Sequence, residues 1–167
     1  MQRIYLVRHG IAGDPDAWKG PDDSRPLNAK GRRQFRGTAR AFANLGDRIE
    51  LLCTSPLVRA VQTAEILADA LELDEVTVLE ELRPEVPVQE LLDRVAQLDS
   101  KRLALVGHDP QLSGTAAALS GVEPARIDFP KGAIVRIDAD DPAARKAEPR
   151  WWLEPGEKKP HEGLPVK

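Results

Sequence analysis

The sequence predicts an α/β fold, namely a single three-layer α/β/α domain with a mostly parallel central sheet. Short apolar runs alternate along the chain with longer segments of helical periodicity, which is the pattern of a sheet covered by helices. The 167 residues are 41% hydrophobic, which is enough to bury one core. We therefore expect one domain over residues 1–154, followed by a frayed tail over residues 155–167.

The first half of the chain contains two strand and helix pairs. Residues 2–7 form the first predicted strand, and a polar loop from Gly10 to Pro26 follows it. Asn28 caps a helix that runs to about Asn44 and carries its apolar residues on one face. A second strand covers about residues 49–54, and Pro56, which suits a first helical turn, begins a helix that continues through Ala70.

The second half of the chain continues the alternation and then changes to a hairpin. Its next predicted elements are a short strand at Val76–Leu79, an amphipathic helix at Val88–Leu98, a strand at Leu103–Val106 and a helix at Pro110–Leu119 that ends before Gly121. Two later strands, Ala133–Asp138 and Trp151–Leu153, are expected to pair as a hairpin across a connection rich in proline and charge.

Charge and hydropathy exclude several classes of protein. The 24 Lys and Arg residues and 27 Asp and Glu residues give a net charge of −3 and are interspersed, so we expect no nucleic-acid partner. No apolar stretch approaches the roughly 20 residues that cross a bilayer, and the apolar run at the start is too short for a signal peptide. We expect a cytoplasmic protein with no membrane partner. Its single cysteine, Cys53, cannot form an internal disulfide.

Basic side chains follow three of the apolar runs. Arg8 and His9 come directly after the first strand, where Gly10 lets the backbone turn, and His108 follows the strand at 103–106. Arg59 lies in the first turn of the helix that follows the second strand. If these strands are parallel neighbours, the four side chains meet at one edge of the sheet, where open α/β sheets bind their ligands.

Two imidazoles and two guanidiniums suit a phosphoryl group. A neutral His9 can attack phosphorus through one ring nitrogen when a hydrogen bond holds the other. Arg8 and Arg59 bind phosphate oxygens through their guanidinium forks, and His108, as an imidazolium, binds a third oxygen. The three histidines lie far apart in the sequence and lack the spacing of metal ligands, so we expect neither a metal nor another cofactor.

Other interpretations of these residues stay open. Cys53 stands six residues before Arg59, which is the spacing of cysteine phosphatases, although Pro56 lacks an amide hydrogen and the segment has no glycine for a phosphate-binding loop. A small-molecule phosphomonoesterase is a second alternative. A protein that binds phosphate or a phosphoprotein without catalysis is a third, but such a binder would not need His9 as well as His108.

Six segments together resemble the histidine phosphatase superfamily, the phosphoglycerate mutase-like enzymes, and within it the short SixA-type phosphohistidine phosphatases. The likeness spans most of the chain and comprises the segments 6–10, 24–31, 54–64, 79–84, 106–110 and 131–134, beginning with Leu-Val-Arg-His-Gly. Several motifs in the right order are far more specific than any one of them.

The resemblance implies a phosphoglycerate mutase-like fold and a phosphohistidine intermediate on His9. It also implies that Arg25 helps to hold phosphate or substrate. Glu81 matches the position of the acid that protonates the leaving group in larger members, although Leu82, Arg83 and Pro84 replace the Gly and aromatic residues that usually follow. The implied partner is a phosphorylated substrate, for example a protein that carries phosphohistidine.

Overall fold

The computed structural model describes residues 1–167 as seven strands and four α-helices joined by loops and short 3₁₀ turns. In chain order these are β1 (Gln2–Arg8), α1 (Ala29–Asn44), β2 (Leu51–Thr54), α2 (Val58–Ala70), β3 (Thr77–Val78), α3 (Val88–Ala96), β4 (Arg102–Gly107), α4 (Gln111–Ser120), β5 (Ile134–Ala139), β6 (Glu148–Leu153) and β7 (His161–Glu162). Every helix and strand that the periodicity predicts is present, with ends that differ by at most three residues.

All seven strands belong to one sheet, in the order β3-β2-β4-β1-β5-β6-β7. The first four strands of that order run parallel, and β5, β6 and β7 pair antiparallel to their neighbours. The structure thus confirms the predicted α/β class and the hairpin of β5 and β6. Because β1, β4 and β2 are adjacent and parallel, their carboxyl ends lie at the same edge of the sheet.

Two hydrophobic cores, one on each face of the sheet, make the three layers. Along β1 the buried side chains alternate, with Ile4 and Leu6 in one core and Tyr5 and Val7 in the other. The core around Ile4 and Leu6 contains the apolar sides of α3 and α4, whereas the core around Tyr5 and Val7 contains those of α1 and α2. Both faces of β1 are covered, which explains its uninterrupted apolar run.

The long loop between β1 and α1 is fastened at the start of α1. Asn28 caps the helix as predicted, because its side-chain oxygen accepts a hydrogen bond from Gly31 N at 2.7 Å. A Cβ atom at Gly31 would collide with the carbonyl oxygen of Ile11, so glycine allows the loop to lie directly on the helix. This contact positions the loop that carries Arg25.

The structure differs from the expected frayed tail over residues 155–167. The chain turns back after β6, with Gly156 at a φ of +88°, and β7 pairs with β6 so that His161 lies opposite Trp152. The last residues are held as well, since Lys167 N donates to Arg126 O at 2.9 Å. Backbone hydrogen bonds and the stacking of His161 on Trp152 hold this segment, and neither requires the apolar run by which a strand is predicted. The structure also contains no helix long and apolar enough to cross a membrane.

Candidate active site

The sequence-predicted basic residues meet at the carboxyl edge of the parallel strands. Arg8 ends β1, His9 follows it, His108 comes directly after β4, and Arg59 lies in the first turn of α2. All four line one cavity of about 420 Å³, to which Arg25 also contributes. A larger cleft of about 640 Å³ lies between α3 and α4, but no histidine or other residue of this group lines it.

His9 is held in the form that a nucleophile requires. Its Nδ1 donates a hydrogen bond to Gly10 O at 2.7 Å, which places the ring proton on Nδ1 and leaves Nε2 with a lone pair and no protein partner. Burial lowers the pKa of His9, the Gly10 hydrogen bond opposes this shift, and the cations of Arg59 and Arg8 add to it, which together bring the pKa to about 4. His9 is therefore neutral near pH 7.

His108 lies beside His9, with the two ring centroids 5.1 Å apart. Its Nε2 is 2.8 Å from Ser55 Oγ, and the same Oγ accepts a hydrogen bond from Leu57 N. The Ser55 hydroxyl can therefore donate to Nε2, which leaves the ring proton on Nδ1.

The expectation that His108 is an imidazolium needs correction for the free protein. Burial, together with the nearby cation of Arg59, lowers the pKa of His108 to about 3. A neutral His108 can still donate from Nδ1. A bound phosphoryl dianion would bring opposite charge beside the ring and raise this pKa again.

Contacts with the protein fix the three arginines of the cavity. Arg8 Nη1 donates to Phe129 O at 2.6 Å, and Arg25 Nη1 donates to Gly13 O at 2.7 Å. Arg59 donates from Nη1 and Nη2 to the backbone and side chain of Asp22. The buried Nε atoms of Arg8 and Arg59 have no hydrogen-bond partner in the protein. The cavity thus holds oriented cations that retain unused donors, which is how proteins bind phosphate.

The structure does not bring Glu81 into the cavity. Glu81 lies in the short 3₁₀ turn Glu80–Leu82, and its carboxylate is 3.8 Å from Arg94 Nε on α3. Gln111 fixes this turn by donating to Glu81 O at 2.8 Å. The nearby residue that does line the cavity is Pro84. The side chain of Glu81 is directed towards α3 and does not line the cavity.

Sequence reasoning assigned no role to two residues that complete the site. Lys131 lines the cavity, and its charge contributes to lowering the pKa of His9. It precedes β5, which runs antiparallel to β1, so the start of β5 lies at the same edge as the end of β1. An argument from the hairpin topology could have found it. Ser55, the partner of His108, ends a buried run and gave no comparable signal.

The position of Cys53 counts against the cysteine phosphatase interpretation. Cys53 is buried on β2 among the side chains of the core that contains α3 and α4, and it does not line the cavity. Burial raises the pKa of its thiol to about 11. A protonated, buried thiol is a poor nucleophile.

Comparisons with known proteins agree with this geometry. The sequence profile described as the histidine phosphatase superfamily (branch 1) matches residues 4–86. An uncharacterized protein of Picosynechococcus sp. strain PCC 7002 is 34% identical over 163 residues, which cover 90% of this chain and 98% of that protein.

Two solved structures are similar over nearly their whole length. The SixA protein from Agrobacterium tumefaciens is 25% identical with a TM-score of 0.78, and the match covers 93% of this chain and 99% of that one. The protein histidine phosphatase SixA, solved in complex with tungstate, is 26% identical with a TM-score of 0.80, covering 92% and 97%.

The chain belongs to the histidine phosphatase superfamily, with the phosphoglycerate mutase-like fold that the sequence motifs implied. Within that superfamily it is of the SixA type, and its activity is that of a phosphatase.

Proposed function

We propose that this protein is a metal-independent phosphatase that transfers a phosphoryl group from phosphohistidine to His9 and then to water. The observation that carries the proposal is the state of His9, a neutral imidazole whose Nδ1 is bonded to Gly10 O and whose Nε2 is free. His9 lines a cavity together with four basic side chains, namely those of Arg8, Arg25, Arg59 and Lys131.

The proposed reaction has two displacements at phosphorus. In the first, the Nε2 lone pair of His9 forms a bond to phosphorus while the bond to the leaving group breaks. In the second, water attacks phosphorus, the Nε2–P bond breaks and inorganic phosphate leaves. The charge on the equatorial oxygens is stabilised by Arg8, Arg59 and the Nδ1 proton of His108 in both steps. The guanidiniums of Arg8 and Arg59 supply the positive charge that a metal ion could otherwise supply, so the proposed reaction needs no metal.

Two observations support phosphohistidine as the substrate. The similar SixA structure with tungstate is that of a protein histidine phosphatase. In addition, Glu81 is directed towards Arg94, so the acid expected from the motif is absent from the cavity. A phosphorylated imidazole with a proton on its other nitrogen leaves as a neutral molecule and needs no acid, whereas an alkoxide needs one.

The test is a comparison of kcat/KM for three substrate classes with wild-type protein and with His9→Ala as a control for contaminating phosphatases. We expect efficient hydrolysis of a phosphohistidine-bearing protein and of an activated aryl phosphate, slow hydrolysis of alkyl phosphates, and no loss of activity in EDTA. A wide preference for alkyl phosphates would instead indicate a small-molecule phosphomonoesterase. Binding of inorganic phosphate without turnover of any class would indicate a binding module.

A further inference from the structure

Asp22 bonds to two arginines of the cavity but does not itself line the cavity. Its Oδ2 accepts a hydrogen bond from Arg59 Nη2 at 3.0 Å, and its backbone oxygen accepts one from Arg59 Nη1 at 2.9 Å. Its Oδ1 accepts a third from Arg25 Nε at 3.0 Å. Asp22 is not among the residues that line the cavity. One loop residue therefore contacts both guanidiniums without itself lining the cavity.

We propose that Asp22 is a positioning residue for phosphoryl transfer, which fixes Arg59 and Arg25 in the orientation that the transition state requires. This inference rests on the proposed role of Arg59 as a ligand of the phosphoryl group. Asp22 itself does not touch the substrate.

The hydrogen-bonding capacity of Arg59 explains why one residue can fix it. A guanidinium has three nitrogens in one plane, and Asp22 engages both terminal ones, so the plane of Arg59 cannot rotate without breaking two bonds. The remaining nitrogen, Nε, has no partner in the protein. Asp22 thereby fixes the plane of Arg59, while each terminal nitrogen keeps a second N–H beyond the one that it gives to Asp22.

The negative charge of Asp22 has an effect on the site that is separate from the hydrogen bonds by which Asp22 orients Arg59 and Arg25. The side chains of Arg59 and Arg25 are only 6% and 13% exposed, and as two cations close together they repel one another. The carboxylate between them offsets that repulsion while the cavity is empty. It also places a negative charge beside the site, which opposes the binding of a phosphate dianion in the ground state.

These two effects have opposite consequences for a variant without the charge. In Asp22→Asn, loss of the negative charge should leave the binding of inorganic phosphate as tight as in the wild type, or tighter. Loss of the charged hydrogen bonds that Arg59 and Arg25 donate to the side chain should loosen the orientation of both guanidiniums and lower kcat. A residue that only stabilised the loop would weaken phosphate binding and kcat together.

The chain provides a closely matched control. Asp23 is the next residue of the same 3₁₀ turn, its side chain has the same 59% exposure, and it also bonds an arginine, Arg83, at 3.0 Å. Neither Asp23 nor Arg83 lines the cavity. Asp23→Asn therefore removes an equivalent charge and ion pair without affecting Arg59.

The experiment measures kcat with an activated aryl phosphate and the inhibition constant of inorganic phosphate for Asp22→Asn, Asp22→Glu and Asp23→Asn. We expect kcat of Asp22→Asn to fall about tenfold, as for a misoriented group, with an inhibition constant no higher than that of the wild type. Asp22→Glu, which keeps the charge, should recover part of kcat, and Asp23→Asn should match the wild type. Thermal melting checks that each variant is folded.

Three outcomes would overturn the inference. One is a kcat for Asp22→Asn within about twofold of the wild type, and another is an equal loss in Asp23→Asn. The third is a loss of kcat in Asp22→Asn that is matched by weaker binding of inorganic phosphate. Arg59→Ala separates this inference from the proposed function. If Arg59→Ala keeps full turnover, the proposed phosphate site itself is wrong, whereas an impaired Arg59→Ala with a normal Asp22→Asn rejects only the role of Asp22.

Discussion

Acidification from about pH 8 to about pH 5.5 should destabilise this protein through His9 and His108. Burial lowers the pKa of His9 to about 4 and that of His108 to about 3, whereas a histidine in the unfolded chain titrates near its ordinary value of about 6.5. Between these values the unfolded chain binds more protons than the folded one, so stability falls as the pH drops below about 6.5. Above about pH 7 neither residue contributes to the pH dependence.

The magnitude follows from the proton occupancy of each state. At pH 5.5 an unfolded histidine is about ten times more often protonated than neutral, while both buried histidines stay neutral in the folded protein. This difference lowers the free energy of unfolding by about 1.4 kcal/mol for each residue. The two together give a loss of about 3 kcal/mol, to which the titration of carboxylates adds its own background.

Urea unfolding at the two pH values measures this effect directly. The double variant His9→Asn and His108→Asn has the same carboxylates but lacks the two histidines, so its stability should fall by about 3 kcal/mol less than that of the wild type. Parallel loss of stability in the wild type and the double variant would refute the conclusion that burial keeps these imidazoles neutral.

Three further predictions concern activity. Arg8→Ala and Arg59→Ala should each lower kcat by a factor on the order of 10² or more, because each removes an oriented charge that stabilises the transition state. A kcat near that of the wild type in either variant would contradict the role assigned to that arginine. Glu81→Gln should leave kcat/KM within about twofold for phosphohistidine and alkyl phosphates alike, and a steep loss confined to alkyl substrates would show that Glu81 reaches the cavity after all. Cys53→Ser should keep its kcat, since the buried thiol takes no part, and loss of turnover in a folded Cys53→Ser would revive the cysteine mechanism.

The strand ends made the centre of the site predictable from the sequence. Arg8, His9 and His108 each follow an apolar run, and parallel strands that are buried on both faces must bring their carboxyl ends together. Arg59 could be placed because Pro56 indicated the start of a helix close to a strand end. Local patterns placed these residues at strand and helix ends, and the order of the strands in the sheet brings those ends together.

Features that depend on contacts between distant residues could not be predicted in this way. The contact of Asp22 with Arg59 spans 37 positions, and the interaction that directs Glu81 away from the cavity involves Arg94 on another helix. The neutral state of His108 is a consequence of burial beside His9 and Arg59, which no local pattern reports. The ordered end of the chain depends likewise on pairing with β6.

The central claim is that His9 carries the phosphoryl group, and trapping the phosphoenzyme tests it most directly. Protein mixed with a labelled phosphohistidine substrate and quenched rapidly should carry a label that is labile in acid and stable in base, and peptide mapping should place it on His9. His9→Ala should carry none. Label on His108 or Cys53 instead, or full turnover by His9→Ala, would contradict the account.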